Sequence, residues 1–362
     1  MRIGLLIYGD LADQSGGYLY DRKLVDHLRV HRHQVEIVSL PWRSYLRHLA
    51  DNLNAKLYRR LRDLNVDILL QDELNHPSLF DINPRLRAEV SYPIISIVHH
   101  LRSSERHPAA LLPLYRAVER RYLNSVDGFI FNSATTQRVV NELLSEEKTG
   151  VVAMPAGDRL EAEISDADIL TRAQQPGPLR VVYLGALIAR KAPHLLLRAL
   201  ASLPNEQVLA YIVGSSGAEP GYARGLYQLH RILNLGAQAQ FTGHLTPAQL
   251  ADLLANCHVL VLPSSYEGFG IAYLEGMAFG LPAVGTTAGA AGDLIRDGHN
   301  GFLIAPDDYL GLADVLADLH HNRQRLAAMG LAARRRFGQH PGWEESMSTA
   351  RQFVESYNRS IA

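Results

Sequence analysis

Short, continuously apolar segments alternate with stretches whose apolar residues recur at helical spacing, and this alternation organises the chain. Residues 2–8 read as a strand, 9–17 as a glycine-containing loop, 19–30 as an amphipathic helix and 34–40 as a second strand, a βαβ opening. Further strands are expected at 67–71, 94–98 and 128–132. The same grammar restarts after residue 178, with strands at 180–184, 207–213, 238–241 and 258–263 and helices through about 203, around 222–233 and at 271–279. Strands that alternate with helices imply parallel sheets covered on both faces, with ligands gathering beyond the carboxyl ends of the strands. The expected fold class is therefore α/β with two Rossmann-like domains facing across a cleft. Residues 154–179 are polar and acidic and end in Pro176-Gly-Pro178, a boundary signal. We thus expect a first Rossmann-like domain at 1–160, a second at 179–340 and a terminal helix at 341–362.

Composition narrows the class. A chain of 362 residues with 47% apolar and 20% charged residues suits two ordinary soluble domains. A formal net charge of −1 argues against a nucleic-acid partner, which usually demands a strongly basic face. The single cysteine, Cys257, excludes an intrachain disulfide and suits a buried thiol. The first apolar stretch is short and is followed by Asp10 and Asp13, so it reads as a strand rather than a signal peptide. Spanning a bilayer takes about 18–20 apolar residues, and no stretch approaches that. The expected location is cytoplasmic, or peripheral on the inner face of a membrane.

The chemistry concentrates in residues 264–282. Two acids, Glu267 and Glu275, flank a glycine-rich turn between an apolar strand and a helix. Gly268 and Gly270 let a ligand approach the backbone, and the first helical N–H groups favour an anion. The segment offers phosphate contacts beside two carboxylates suited to hydroxyls.

The run Glu267-Gly-Phe-Gly-Ile-x-x-x-Glu275, followed by Gly-Met-Ala-Phe-Gly-Leu-Pro-Ala-Val-Gly285, resembles the retaining, nucleotide-sugar-dependent glycosyltransferases of the GT-B fold often called family 4. Residues 289–304, Phe241-Thr-Gly-His-Leu245 and Tyr183-Leu-Gly185 through Lys191 carry the same pattern. The resemblance covers the C-terminal half strongly and the N-terminal half more loosely. It implies that Lys191, one of four lysines, sits on the donor diphosphate. It implies that Glu275 holds the ribose hydroxyls, that Glu267 contacts the transferred sugar, and that the backbone at Phe269, Gly270 and Ile271 binds phosphate. The nucleobase is expected near Gly214 and Leu245, with Gly185 at the donor loop. In the first half, Gly16 and Gly17 are expected near the donor phosphates, His99 in preference to His100 at the transferred sugar, and Glu73, Asn75 and His100 on the acceptor side. The chain departs from the family at Ala186, where an arginine is usual, and at Ala192 and Ala156, which replace a glycine and an asparagine. Arg190 is the candidate substitute for the arginine.

No Asp-x-Asp motif stands beside the presumed diphosphate site, so a metal-independent enzyme is expected, with no cofactor beyond a nucleoside-diphosphate sugar as co-substrate. The acceptor is a glycan, lipid or small molecule. Retention on this fold needs no enzymic nucleophile. Residues 41–64 interleave Arg43, Arg47, Lys56, Arg59, Arg60 and Arg62 with Trp42 and leucines. Such a basic amphipathic stretch suits either peripheral membrane contact or a solvated helix packed on its own core. Two rivals to transfer are an epimerase of the same fold and a nucleotide-sugar-binding protein that has lost catalysis, the latter motivated by Ala186.

Overall fold

A computed structural model describes residues 1–13 and 15–359, in two compact units. One comprises Met1–Pro155 and Trp343–Ala362, the other Ala156–Gly342.

The first unit holds six parallel strands, β1 (Arg2–Tyr8), β2 (Gln34–Leu40), β3 (Ile68–Asp72), β4 (Ile94–Val98), β5 (Gly128–Phe131) and β6 (Gly150–Val152), in the order β2-β1-β3-β4-β5-β6. Its central strands β3, β4 and β5 are buried along their whole length because both faces are covered, and they are apolar apart from Gln71, Asp72 and Ser96. Leu6, Leu69, Ile94, Val98 and Phe129 meet in one core, to which Leu57 and Leu61 contribute from the flanking helix Ala55–Arg62. The final helix, Trp343–Arg359, packs on helix Gly16–Val30: Tyr20 meets the Trp343 ring at 6.0 Å, and His27 Nδ1 lies 3.2 Å from Glu344.

The second unit also has six parallel strands, β7 (Leu179–Leu184), β8 (Val208–Val213), β9 (Ala239–Gly243), β10 (Val259–Val261), β11 (Ala283–Thr286) and β12 (Gly301–Ile304), ordered β12-β11-β10-β7-β8-β9. This is the doubly wound order of dinucleotide-binding sheets. Cys257 is fully buried.

Several local features differ from the sequence pattern. The polar stretch 154–179 contains a helix, Asp166–Gln174, opened by a capping box between Ser165 and Asp168. Its Ile169 and Ala173 are buried, and Arg172 donates to the carbonyls of Ala255 and Phe279 at 2.9 and 2.8 Å, so it belongs to the second unit. Residues 41–64 form no single helix. Tyr45–Ala50 and Ala55–Arg62 are separate, because Asn54 leaves the helical conformation and its Oδ1 accepts from Lys56 and Leu57 to start the second one. Leu57 and Leu61 point inward, whereas Trp42, Leu46 and Leu53 are exposed. Gly16 and Gly17 form the first turn of helix Gly16–Val30 rather than the end of the preceding loop, with Ser15 as its cap. No helix among the described residues is long and apolar enough to cross a membrane.

Candidate active site

In the second sheet β7 and β10 are neighbours, yet the chain leaves β7 for β8 on one side and β10 for β11 on the other. The loops that follow these two strands therefore diverge and open a crevice at their carboxyl ends. The turn Ala189–Lys191 comes from the first loop and Glu267 from the second. The loops are fastened by the Ser265 amide, which donates to the Arg190 carbonyl at 2.8 Å. Lys191 Nζ then reaches Glu267 Oε1 at 2.5 Å, and Ser264 Oγ donates to the same oxygen at 2.6 Å. Arg190 Nη1 lies 3.9 Å from that oxygen and donates to the Tyr266 carbonyl at 2.8 Å.

Only 4% of Glu267 is exposed. Burial alone raises its pKa, but Lys191, Arg190 and the hydrogen bonds outweigh that and hold the carboxyl below its ordinary value. Burial also lowers the pKa of Lys191, with Arg190 adding to that effect and Glu267 opposing it. The result is two cations beside one ionised carboxylate at the mouth of the crevice.

Gly270 precedes helix Ile271–Ala278 with φ +94°, a left-handed conformation that few side chains accept. No side chain caps this helix, so its first amides and the positive end of its dipole are available to an anion. Phe269 is buried with its ring 5.7 Å from that of His340, and Ile271 is half-buried. Glu275, one turn further on and 4% exposed, accepts from Arg159 through Nε at 2.8 Å and Nη2 at 2.7 Å, both at Oε1. Burial pushes the Glu275 pKa up and Arg159 offsets part of the rise. At Gly214 a Cβ would run into the Gly185 carbonyl, so the loops after β7 and β8 touch through bare backbone. The Gly214 amide also donates to the Gly243 carbonyl at 3.0 Å, which brings the end of β9 alongside, two residues before the half-buried Leu245.

In the first unit the corresponding divergence lies between β1 and β3. His99 follows β4, and a Cβ added at Gly17 would sit 3.2 Å from its ring. His99 Nε2 lies 3.3 Å from Asp21 Oδ1, and both residues are buried. Burial lowers the imidazole pKa, but the Asp21 bond and the nearby Asp72 and Glu73 carboxylates overcome it and push it up to about 9. The neighbouring His100 instead meets Glu105 at 2.9 Å. Glu73 and Asn75 are buried in the turn after β3, where Asn75 Nδ2 donates to the Leu6 and Asp72 carbonyls at 3.3 and 3.1 Å.

Within the second unit Lys191, Arg190 and Glu267 are thus brought together, and in the first Gly17 meets His99. Sequence reasoning missed Arg159, Ser264 and Asp21. Arg159 lies in the stretch taken as a domain boundary. Asp21 carried a signal, an acid on the otherwise apolar face of helix Gly16–Val30. Among the described residues, three groups of His, Asp and Glu bring ligating atoms within 4.8 Å of one another, and none of them includes Lys191, Glu267 or Glu275.

Residues 170–336 match the model of a family described as glycosyl transferases group 1. The D-inositol 3-phosphate glycosyltransferase of Streptomyces coelicolor is 32% identical over 191 residues, covering 50% of this chain and 42% of the relative. A glycogen synthase of Mycobacterium tuberculosis is 26% identical over 260 residues, covering 70% and 60%. The chain spans about half the length of the curated relatives it matches. Among solved structures, sucrose-phosphate synthase from Thermosynechococcus elongatus aligns with a TM-score of 0.81 at 19% identity, covering 99% of this chain and 100% of the other. The Anabaena protein HepE, solved in complex with UDP and glucose, aligns with a TM-score of 0.75 at 22% identity, covering 98% and 100%. These likenesses carry the GT-B fold, and residues 170–336 match the glycosyl transferases group 1.

Proposed function

We propose that the protein is a retaining, metal-independent glycosyltransferase that moves a sugar from a nucleoside diphosphate to a hydroxyl of a glycan, lipid or small-molecule acceptor. The observation that carries this reading is the convergence of Lys191, Arg190 and an uncapped helix start around Glu267 at the switch point of the second sheet. When the anomeric carbon–oxygen bond of a donor lengthens, negative charge grows on the departing diphosphate, and donors fixed in advance stabilise it at little reorganisation cost. Lys191 and the amides from Phe269 to Ile271 fill that role. Arg190, within 3.9 Å of the same carboxylate, supplies the cation that Ala186 does not. Two side-chain cations take over the charge neutralisation that a divalent ion provides elsewhere, so no cofactor is needed beyond the donor.

Glu267, kept ionised, accepts hydrogen bonds from hydroxyls of the transferred sugar. Glu275 accepts from the ribose diol, and Arg159, which occupies only Oε1, leaves the second oxygen open to it. His99, held by Asp21, donates to a sugar hydroxyl, and the acceptor hydroxyl attacks from the face that the diphosphate leaves, with a phosphate oxygen taking its proton. The exposed Trp42, Leu46 and Leu53 beside Arg43, Arg47 and Lys56 support peripheral contact with an anionic membrane.

The test is a panel of UDP, GDP and ADP sugars supplied with and without acceptors, with UDP-glucose first because HepE was also solved with it. Nucleoside diphosphate release with retained anomeric configuration, read by NMR, is the expected result. An isomerised nucleotide sugar would identify an epimerase. Saturable donor binding without turnover would identify a binding protein.

A further inference from the structure

We propose that Glu73, His76 and Glu119 of the first unit hold one divalent transition-row cation, zinc or manganese, as a structural ion. Glu73 sits in the turn Glu73–Asn75 after β3, His76 opens the short helix His76–Leu79, and Glu119 lies in helix Leu112–Leu123. Their exposures are 1%, 2% and 0%, and each offers a ligating atom within 4.8 Å of the others.

Three observations point to an ion. Neither carboxylate oxygen of Glu73 has a hydrogen-bond partner, although both are buried. The nearest basic group is the His76 ring, with Nδ1 3.6 Å from Glu73 Oε1, and among the described residues no lysine or arginine pairs with Glu73 or Glu119. Arg102 spreads its guanidinium over the Tyr45 and Tyr115 rings at 5.0 and 4.9 Å. Buried carboxylates without counter-ions are costly, and natural folds pair them or use them to bind metal.

The ligand chemistry agrees. His76 Nδ1 donates to the Glu73 carbonyl at 2.9 Å, which orients the ring and leaves the lone pair on Nε2. Among the described residues the hydrogen-bond partner at Nε2 is the Tyr45 hydroxyl at 3.4 Å, long for such a bond. Glu119 is oriented by the Ser103 amide at 3.1 Å. One neutral imidazole and two carboxylates form a borderline-to-hard donor set, and a divalent cation makes it electrically neutral. The competing arrangement is a proton on one carboxyl, toward which burial already biases Glu119.

The two states respond oppositely to removal of a charge. The whole chain is stripped with a chelator, then titrated with ZnCl2 and MnCl2 by calorimetry, with bound metal counted by mass spectrometry. One ion per chain and a higher Tm for the loaded protein are expected. Glu73→Gln and Glu119→Gln should each weaken binding at least about tenfold and lower the Tm of the loaded protein. The proposal fails if the wild type shows no saturable binding, if the ion still binds both variants at full strength, or if both variants raise Tm equally with and without metal. These readouts are metal binding and Tm, and no transfer assay enters them.

Discussion

Arg159 and Glu275 form a charge-assisted contact in which two guanidinium nitrogens, at 2.8 and 2.7 Å, converge on one carboxylate oxygen. The pair ties the first residues of the second unit to its ligand-facing helix. A carboxylate already held on one side is positioned for a diol on the other. Glu275→Ala should mainly weaken donor affinity, by tenfold or more on the scale of a lost charged hydrogen bond of about 1.5–3 kcal/mol. Calorimetry with UDP checks this, and near-native binding would contradict the ribose role.

Lys191→Ala removes the cation nearest the presumed leaving group. Turnover should fall by about 10²–10³, as for loss of one preorganised donor elsewhere, with the far-UV spectrum unchanged. Lys191→Arg is a sharper probe, because the planar fork cannot reproduce the 2.5 Å approach to Glu267 and should recover little activity. An unchanged rate in the alanine variant would take the lysine out of the mechanism.

Ala192, directly after Lys191, has φ +49° and ψ 42°, a left-handed conformation at the start of helix Pro193–Ala201. An alanine there costs about 1–2 kcal/mol relative to a relaxed backbone, which a glycine avoids. Ala192→Gly should therefore stabilise the chain by about 1 kcal/mol in urea denaturation, after the greater freedom of glycine in the unfolded chain is discounted. A loss of stability would mean that the αL geometry is not maintained in solution.

His99 links stability to pH. Its folded pKa of about 9 lies above the ordinary 6.5, so the protonated ring contributes stability in full below pH 6.5, and this is lost as pH rises through 9. The contribution is at most about 3 kcal/mol. His99→Gln should flatten the dependence of the urea midpoint between pH 6 and pH 9.5, and Asp21→Asn should flatten it too by lowering the His99 pKa. An unaltered slope in both variants would show that the ring is neutral in the folded protein.

The exposed Trp42, Leu46 and Leu53 give the membrane reading its own check. Trp42→Ala combined with Leu46→Ser should reduce the affinity for vesicles containing anionic phospholipid by about a hundredfold or more in co-sedimentation, since each large side chain contributes about 1.5–3 kcal/mol when buried in an apolar layer. Equal binding to neutral vesicles would exclude an electrostatic part.

The loops that carry Lys191 and Glu267 were legible in the sequence because their parts are local. Each strand ends in an apolar run, the loop follows at once, and Lys191 and Glu267 occupy loops whose neighbours in the sheet follow from the winding order. What was not legible was made by tertiary contact. The Arg159–Glu275 pair spans 116 positions and His99–Asp21 spans 78, and nothing in either local stretch announces its partner. Residues 41–64 show the limit of charge patterning: the basic and apolar positions were read correctly, but the break at Asn54 depends on one side chain capping the next helix. The polar composition of 154–179 concealed helix Asp166–Gln174 because so few of its residues face inward.

The first unit is assembled from both ends of the polypeptide, since Trp343–Arg359 covers helix Gly16–Val30 while residues 156–342 form a body of their own. During synthesis the amino-terminal unit therefore keeps one flank bare until residues 343–359 emerge, although the intervening unit can already be complete. Loss of residues 343–359 would injure the half whose strands were synthesised first.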